Sequence, residues 1–166
     1  KILKILNKLT KEYNLPVIVS THPRTRKRLE QLNNSTNKQI NPNIHFLKPF
    51  GFLDYIHLQM NAKCTISDSG TISEESTILN FPAISLRQSM ERPEAQDTGS
   101  IILTGFESDV VLNAIAVTTD EQENQKTKTE QRTPEEYKID NTSWRVLKLI
   151  LGNTKLSNKW WGINKL

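Results

Sequence analysis

The chemistry in this chain concentrates between Thr65 and Ser76, in the run Thr-Ile-Ser-Asp-Ser-Gly-Thr-Ile-Ser-Glu-Glu-Ser. Its small hydroxyl residues and one glycine sit between two apolar stretches, as an anion cradle requires. Ala62–Ile66 reads as the end of a buried strand, and the residues from Thr71 to Asn80 as a short helix closed by Phe81-Pro82. Ala83–Leu86 reads as the next strand. A strand, tight turn, helix and strand in that order is the repeating unit of a parallel α/β sheet. In such a unit the helix N-terminus lies at the carboxyl end of the sheet, where unpaired N–H groups and the positive dipole end suit a phosphate. Ser69, Gly70 and Thr71 occupy that place. Glu75 lies about 100° further round the helix than Glu74, so it is free to accept hydrogen bonds from a sugar diol. The same residues also suit a plain helix start. Thr71 and Glu74 have capping-box spacing, and Asp68 and Ser69 are ordinary turn residues.

Three other groups bear on a ligand edge. Thr21-His22-Pro23-Arg24-Thr25-Arg26 follows the apolar run Val17–Ser20, at the carboxyl end where open α/β sheets keep ligands. His22 and Arg24, with Arg26 and Arg28, make an anion-friendly group; alternatively His22 bonds loop backbone and the arginines line an exposed helix over residues 24–32. Phe50 and Tyr55 are candidates for contact with a base, whereas Phe52 is expected in the core. Arg92, in the polar loop after the Ala83–Leu86 strand, suits a diphosphate or ribose, or an exposed ion pair with Glu91 or Glu94.

These groups need elements to hold them. Ile2–Tyr13 carries Ile2, Leu3, Ile5, Leu6 and Leu9 at helical spacing and predicts an amphipathic helix. It has no preceding strand, which suggests a start inside a larger fold. Further strands are expected at Val17–Ser20, His45–Leu47 and Gly99–Gly105. Helices are expected at Leu53–Asn61, Glu107–Val117 and Trp144–Leu151. The domain reading is a nucleotide-binding α/β domain over 1–120, a polar linker over 121–141, and a C-terminal helix and tail over 142–166. Trp160 and Trp161 in that tail stay exposed unless something covers them.

Composition narrows the classes. With 36% hydrophobic and 24% charged residues, 166 residues allow a real core, and no run reaches the roughly 18 apolar residues of a membrane span. Lysines interrupt the opening residues, so no signal peptide is expected. The single cysteine, Cys64, is expected to be a buried, inert thiol of a cytosolic protein. A net charge of +4, much of it from scattered lysines, allows a nucleic-acid footprint but does not argue for one. No metal-ligand cluster and no Gly-x-Gly-x-x-Gly nicotinamide motif is present in the sequence.

From Val17 to Thr104 the chain resembles the C-terminal half of the non-hydrolysing UDP-N-acetylglucosamine 2-epimerases, which have a glycosyltransferase-B-like fold. The resemblance rests on Ser20-Thr21-His22-Pro23, on Ser67-Asp68-Ser69-Gly70-Thr71-Ile72-Ser73-Glu74-Glu75, and on Glu91-Arg92-Pro93-Glu94-Ala95. The wording from Thr21 to Leu29 looks most like the capsule and O-antigen branch, which acts on UDP-linked 6-deoxy-hexosamines toward UDP-N-acetyl-L-fucosamine. The resemblance implies that Ser69, Gly70 and Thr71 hold the diphosphate, that Glu75 bonds the ribose, and that Arg92 contacts the nucleotide. It sets Phe50 to Tyr55 beside uracil and assigns His22 to an effector site found in some members. Thr71 departs from most members, which have a second glycine there. The family inverts C2 by eliminating UDP and adding it back to the other face, with carboxylates and a histidine that are not in this chain. The resemblance therefore implies a cytoplasmic isomerase fragment that holds part of a UDP site without catalysing the reaction, needs no cofactor, and comes from a homodimeric enzyme. It also implies that the C-terminal helix packs on an N-terminal domain. Two other readings stay open: the donor domain of a glycosyltransferase, and a non-catalytic domain for RNA or protein.

Overall fold

The computed structural model describes residues 1–27, 29, 40–90, 93–124 and 133–162. Chain contacts divide it into two compact units, Lys1–Thr133 and Pro134–Leu166.

The first unit alternates helix and strand. Helix α1 spans Ile2–Tyr13 and buries Ile5, Leu6, Leu9 and Thr10, the stripe that the apolar spacing predicts. It ends at Asn14, whose left-handed φ of 49° stops the helix in the usual way. Strand β1 (Val17–Ser20) pairs in parallel with β2 (Ile44–Leu47), in register Val17 to Ile44. Residues 23–27 between them are helical; Arg28 and most of the rest of the expected 24–32 helix lie outside the described residues. Helix α2 (Phe52–Asn61) then leads to β3 (Thr65–Ser67), α3 (Ile72–Leu79), β4 (Ala83–Ser85), the short α4 (Pro93–Asp97), β5 (Ile102–Leu103) and α5 (Ser108–Glu123). Strands β3, β4 and β5 form a second parallel sheet in that order. The architecture is a Rossmann-like α/β fold of parallel strands with flanking helices.

The core joins α1 and α5 to both sheets. Ile5, Leu6 and Leu9 meet Ile84, Val111, Ala114 and Ile115 there, with Ile44 from β2. Ile84 is fully buried at the middle of the central strand β4, in register with Ile66 and Ile102. Three elements differ from expectation. The strand expected over Gly99–Gly105 contracts to Ile102–Leu103, because Gly99 takes a positive φ of 71° and breaks extended backbone. Helix α5 runs past Val117 to Glu123: Thr119 is buried and turns its hydroxyl onto the Ile115 carbonyl, while Asp120, Glu121 and Glu123 face solvent. Phe52, expected in the core, is 76% exposed. It shares a helical stripe with Tyr55, Ile56 and Gln59, but as the first residue of α2 it precedes the turns that bury that stripe.

Helix α3 ends at Asn80, left-handed at φ 54°, with its N–H on the Ser76 carbonyl. Asparagine tolerates this geometry and a β-carbon without a local polar group does not. Asn80→Ala is expected to cost about 1 kcal/mol and Asn80→Gly less, read from urea midpoints.

The second unit holds a 3-10 turn (Glu135–Lys138) and helix α6 (Thr142–Trp160), longer than the apolar run Trp144–Leu151 predicts. No residue of α6 is buried, and Trp160 and Trp161 are exposed.

Candidate functional site

Strand β3 delivers the chain to the turn Asp68-Ser69-Gly70-Thr71, and α3 begins at its far side. The turn is held by its own hydroxyls. The Ser69 N–H donates to Ser67 Oγ at 3.1 Å. Ser69 Oγ lies 2.9 Å from Thr71 Oγ1 and accepts the Thr71 N–H at 3.3 Å. The Glu75 N–H, on the Thr71 carbonyl at 2.9 Å, is a bond of the first helical turn, so the amides of Ile72 and Ser73 lie at the helix end ahead of the first i to i−4 bond.

The expected capping box does not form. Thr71 is itself in the right-handed helical region and makes no side-chain cap bond. With that backbone its hydroxyl turns up the helix and donates to Glu75 Oε1 at 2.7 Å. The other carboxylate oxygen, Glu75 Oε2, accepts from Gln59 Nε2 at 2.9 Å. Glu75 is thus clamped from α2 and from its own turn, with a defined direction and lone pairs remaining on both oxygens.

Gln59, which holds Glu75, is a residue that sequence reasoning passed over. It is 3% exposed, and its Oε1 has no hydrogen-bond partner among the described residues. A buried orphan acceptor is costly, and the amide nitrogen of the same side chain is the group that holds Glu75. The available signal was a glutamine on the apolar stripe of α2.

Tyr55 is half-buried one turn before Gln59. Burial foremost, then the Glu75 and Asp68 carboxylates, raise its hydroxyl above the ordinary tyrosine value, so it stays a protonated donor at neutral pH. Phe50 and Tyr55 line one cleft with Ser67 and Asp68. His22 and Arg24 follow β1 instead, both exposed. There His22 Nδ1 accepts the Arg24 N–H at 3.3 Å, and the His22 carbonyl accepts from Thr25 and Arg26. These two residues bond to each other and not to the Ser69–Glu75 group. Arg92 lies outside the described residues. Among the described residues no group of His, Cys, Asp and Glu could hold a metal ion, and no helix is long and apolar enough to cross a membrane.

Cys64 is half-buried at the entry to β3, and burial pushes its thiol up to about 12. Between the ordinary 9.0 and that value the unfolded chain loses a proton that the folded chain keeps. Stability is therefore expected to fall as pH rises through this window. Comparing urea midpoints near pH 8 and near pH 10 for the native chain and Cys64→Ala isolates the effect, and the variant should show the smaller loss.

Comparison with known proteins bears on the whole arrangement. The model of the UDP-N-acetylglucosamine 2-epimerase family matches residues 1–151. A UDP-N-acetylglucosamine 2-epimerase of Methanococcus maripaludis is 36% identical over 115 residues, 69% of this chain and 31% of that protein. The chain thus spans about a third of the length of such relatives. The solved UDP-N-acetylglucosamine 2-epimerase of Rickettsia bellii superposes with a TM-score of 0.78 at 41% identity, over 96% of this chain and 43% of its own. The Methanocaldococcus jannaschii enzyme, solved in complex with UDP-GlcNAc and UDP, superposes with a TM-score of 0.71 at 28% identity, over 90% and 39% of the two chains.

Proposed function

Because the chain belongs to the UDP-N-acetylglucosamine 2-epimerase family, we propose that it supplies the UDP-binding portion of an enzyme that inverts C2 of a UDP-linked N-acetylhexosamine. The observation that carries this reading is the clamped turn: a helix N-terminus preceded by Ser69, Gly70 and Thr71, with Glu75 fixed one turn in. The diphosphate sits at the α3 N-terminus, where amides and the helix dipole stabilise its charge without a metal. Glu75 accepts from the ribose hydroxyls. Phe50 and Tyr55 border uracil, and Arg92, the residue before Pro93, contacts the nucleotide. The elimination and re-addition of UDP fall to groups outside this chain, which contributes no catalytic residue and requires no cofactor.

The whole enzyme is proposed to work as a cytoplasmic homodimer, with 1–120 as its nucleotide domain, 121–141 as linker and 142–166 packing toward the other domain. His22 and Arg24 form a separate anion or effector contact. The family model and the relatives above are epimerases, so the glycosyltransferase reading is not favoured. The reading predicts that UDP raises the melting temperature of the chain while UMP and AMP do not. Equal protection by AMP would refute the uracil contact, and protection by RNA with a steep salt dependence would favour a nucleic-acid module instead.

A further inference from the structure

Two donors converge on the Glu75 carboxylate, and their protons fix what the neighbouring groups can do. A carboxylate only accepts hydrogen bonds. The 2.7 Å bond from Thr71 Oγ1 to Glu75 Oε1 therefore takes the single proton of the Thr71 hydroxyl. Ser69 is then the donor in the 2.9 Å contact between the two hydroxyls, and its own proton is spent on Thr71. Ser69 Oγ also accepts the Thr71 N–H, and the Ser69 N–H is taken by Ser67 Oγ. Neither hydroxyl has a proton left for a phosphate. The anion is left to backbone amides of the turn and helix end, those of Gly70, Ile72 and Ser73.

Gln59 obeys the same rule from α2. Facing a group that can only accept, its amide turns Nε2 to Glu75 Oε2 at 2.9 Å. Its Oε1 stays buried without a partner among the described residues. A neutral amide directs the carboxylate without cancelling its charge, as a lysine there would.

We propose that Thr71 and Gln59 are positioning residues that make the site select a nucleotide by its sugar diol. They touch no ligand atom and act through Glu75, whose two oxygens they hold, while Ser69 feeds the same chain through Thr71. The inference rests on the reading of Glu75 as the ribose contact and assigns its supports. An unheld glutamate loses rotamer freedom when a ligand binds, which costs affinity. Bonds from its own turn and from a second helix remove that freedom beforehand.

The test is calorimetric titration of the 166-residue chain with UDP and with 2′,3′-dideoxy-UDP, which lacks the diol. The native chain is expected to prefer UDP by at least about tenfold. Thr71→Val keeps the side-chain shape and removes the hydroxyl. It should weaken UDP about 2- to 10-fold, the cost of ordering one side chain, and leave the dideoxy compound within about twofold. Thr71→Ser should restore the native preference. Gln59→Met should shrink the preference as Thr71→Val does without lowering the urea midpoint, since it removes the unpartnered Oε1 along with Nε2. Thr71 is exposed, so its variants still decide the matter if Gln59→Met fails to fold. In a Glu75→Ala background neither substitution should change UDP affinity further.

Equal weakening of both nucleotides by Thr71→Val would mean that its hydroxyl meets phosphate, and overturns the proposal. A preference unchanged in the variants, or an additive loss in the Glu75→Ala background, overturns it too. A native chain that binds both nucleotides alike removes the diol contact and this proposal with it, while leaving a UDP site. A folded chain that binds neither refutes the UDP reading itself.

Discussion

Glu75→Ala is expected to weaken UDP binding by about 10- to 100-fold. Hydrogen bonds to a charged group contribute about 1.5–3 kcal/mol, and each 1.4 kcal/mol is about tenfold in affinity. Glu75 is suited to that contribution because it is already oriented. Thr71 Oγ1 holds one oxygen at 2.7 Å and Gln59 Nε2 holds the other at 2.9 Å, so binding a diol does not pay for ordering the carboxylate. The variant also leaves the buried Gln59 amide without its acceptor, at a cost of about 1–3 kcal/mol in stability. Calorimetric titration must therefore accompany a urea melt, so that lost affinity is measured on folded protein. Glu75→Gln keeps an acceptor for Thr71 but cannot accept from Gln59 through its amide nitrogen, and an intermediate affinity is expected. Unchanged affinity in both variants would remove Glu75 from the ribose contact.

Ile84→Ala is expected to destabilise the first unit by about 2–5 kcal/mol. Ile84 is 0% exposed and stands in the central strand of the three-stranded sheet, against the α1 and α5 residues of the core cluster. Truncation removes apolar burial and leaves a cavity that sheet hydrogen bonds on both sides of β4 prevent from collapsing. Domains are stable by only about 5–15 kcal/mol, so the loss is a large part of the total. Ile84→Val should cost about 0.5–1.5 kcal/mol. Urea denaturation reads both values, and a loss well under that of Ile84→Val in the alanine variant would mean that β4 is not central to the fold.

Local pattern carried much of this structure. Helix α1 falls on Ile2–Tyr13 and strand β1 on Val17–Ser20, as the apolar spacing reads, because each pattern extends over a whole element. The turn at Ser69–Thr71 also lies where the strand–turn–helix reading puts it, at the start of α3. What failed was set by tertiary context. Phe52 has a core-like type and spacing, yet it lies beyond the buried turns of α2. The Thr71–Glu74 spacing allows a capping box, but the backbone at Thr71 is helical and sends its hydroxyl to Glu75. By sequence Gln59 is one polar residue in a helix, and only the bond across from α2 to α3 makes it the clamp on Glu75.

The most direct test of the account is isothermal titration of the 166-residue chain with UDP and, separately, with ADP. The account predicts saturable UDP binding in the micromolar to millimolar range, at least about tenfold tighter than ADP. Equal binding of the two nucleotides would reduce the site to a generic diphosphate cradle. Absence of UDP binding by a chain that circular dichroism shows to be folded would contradict the account outright.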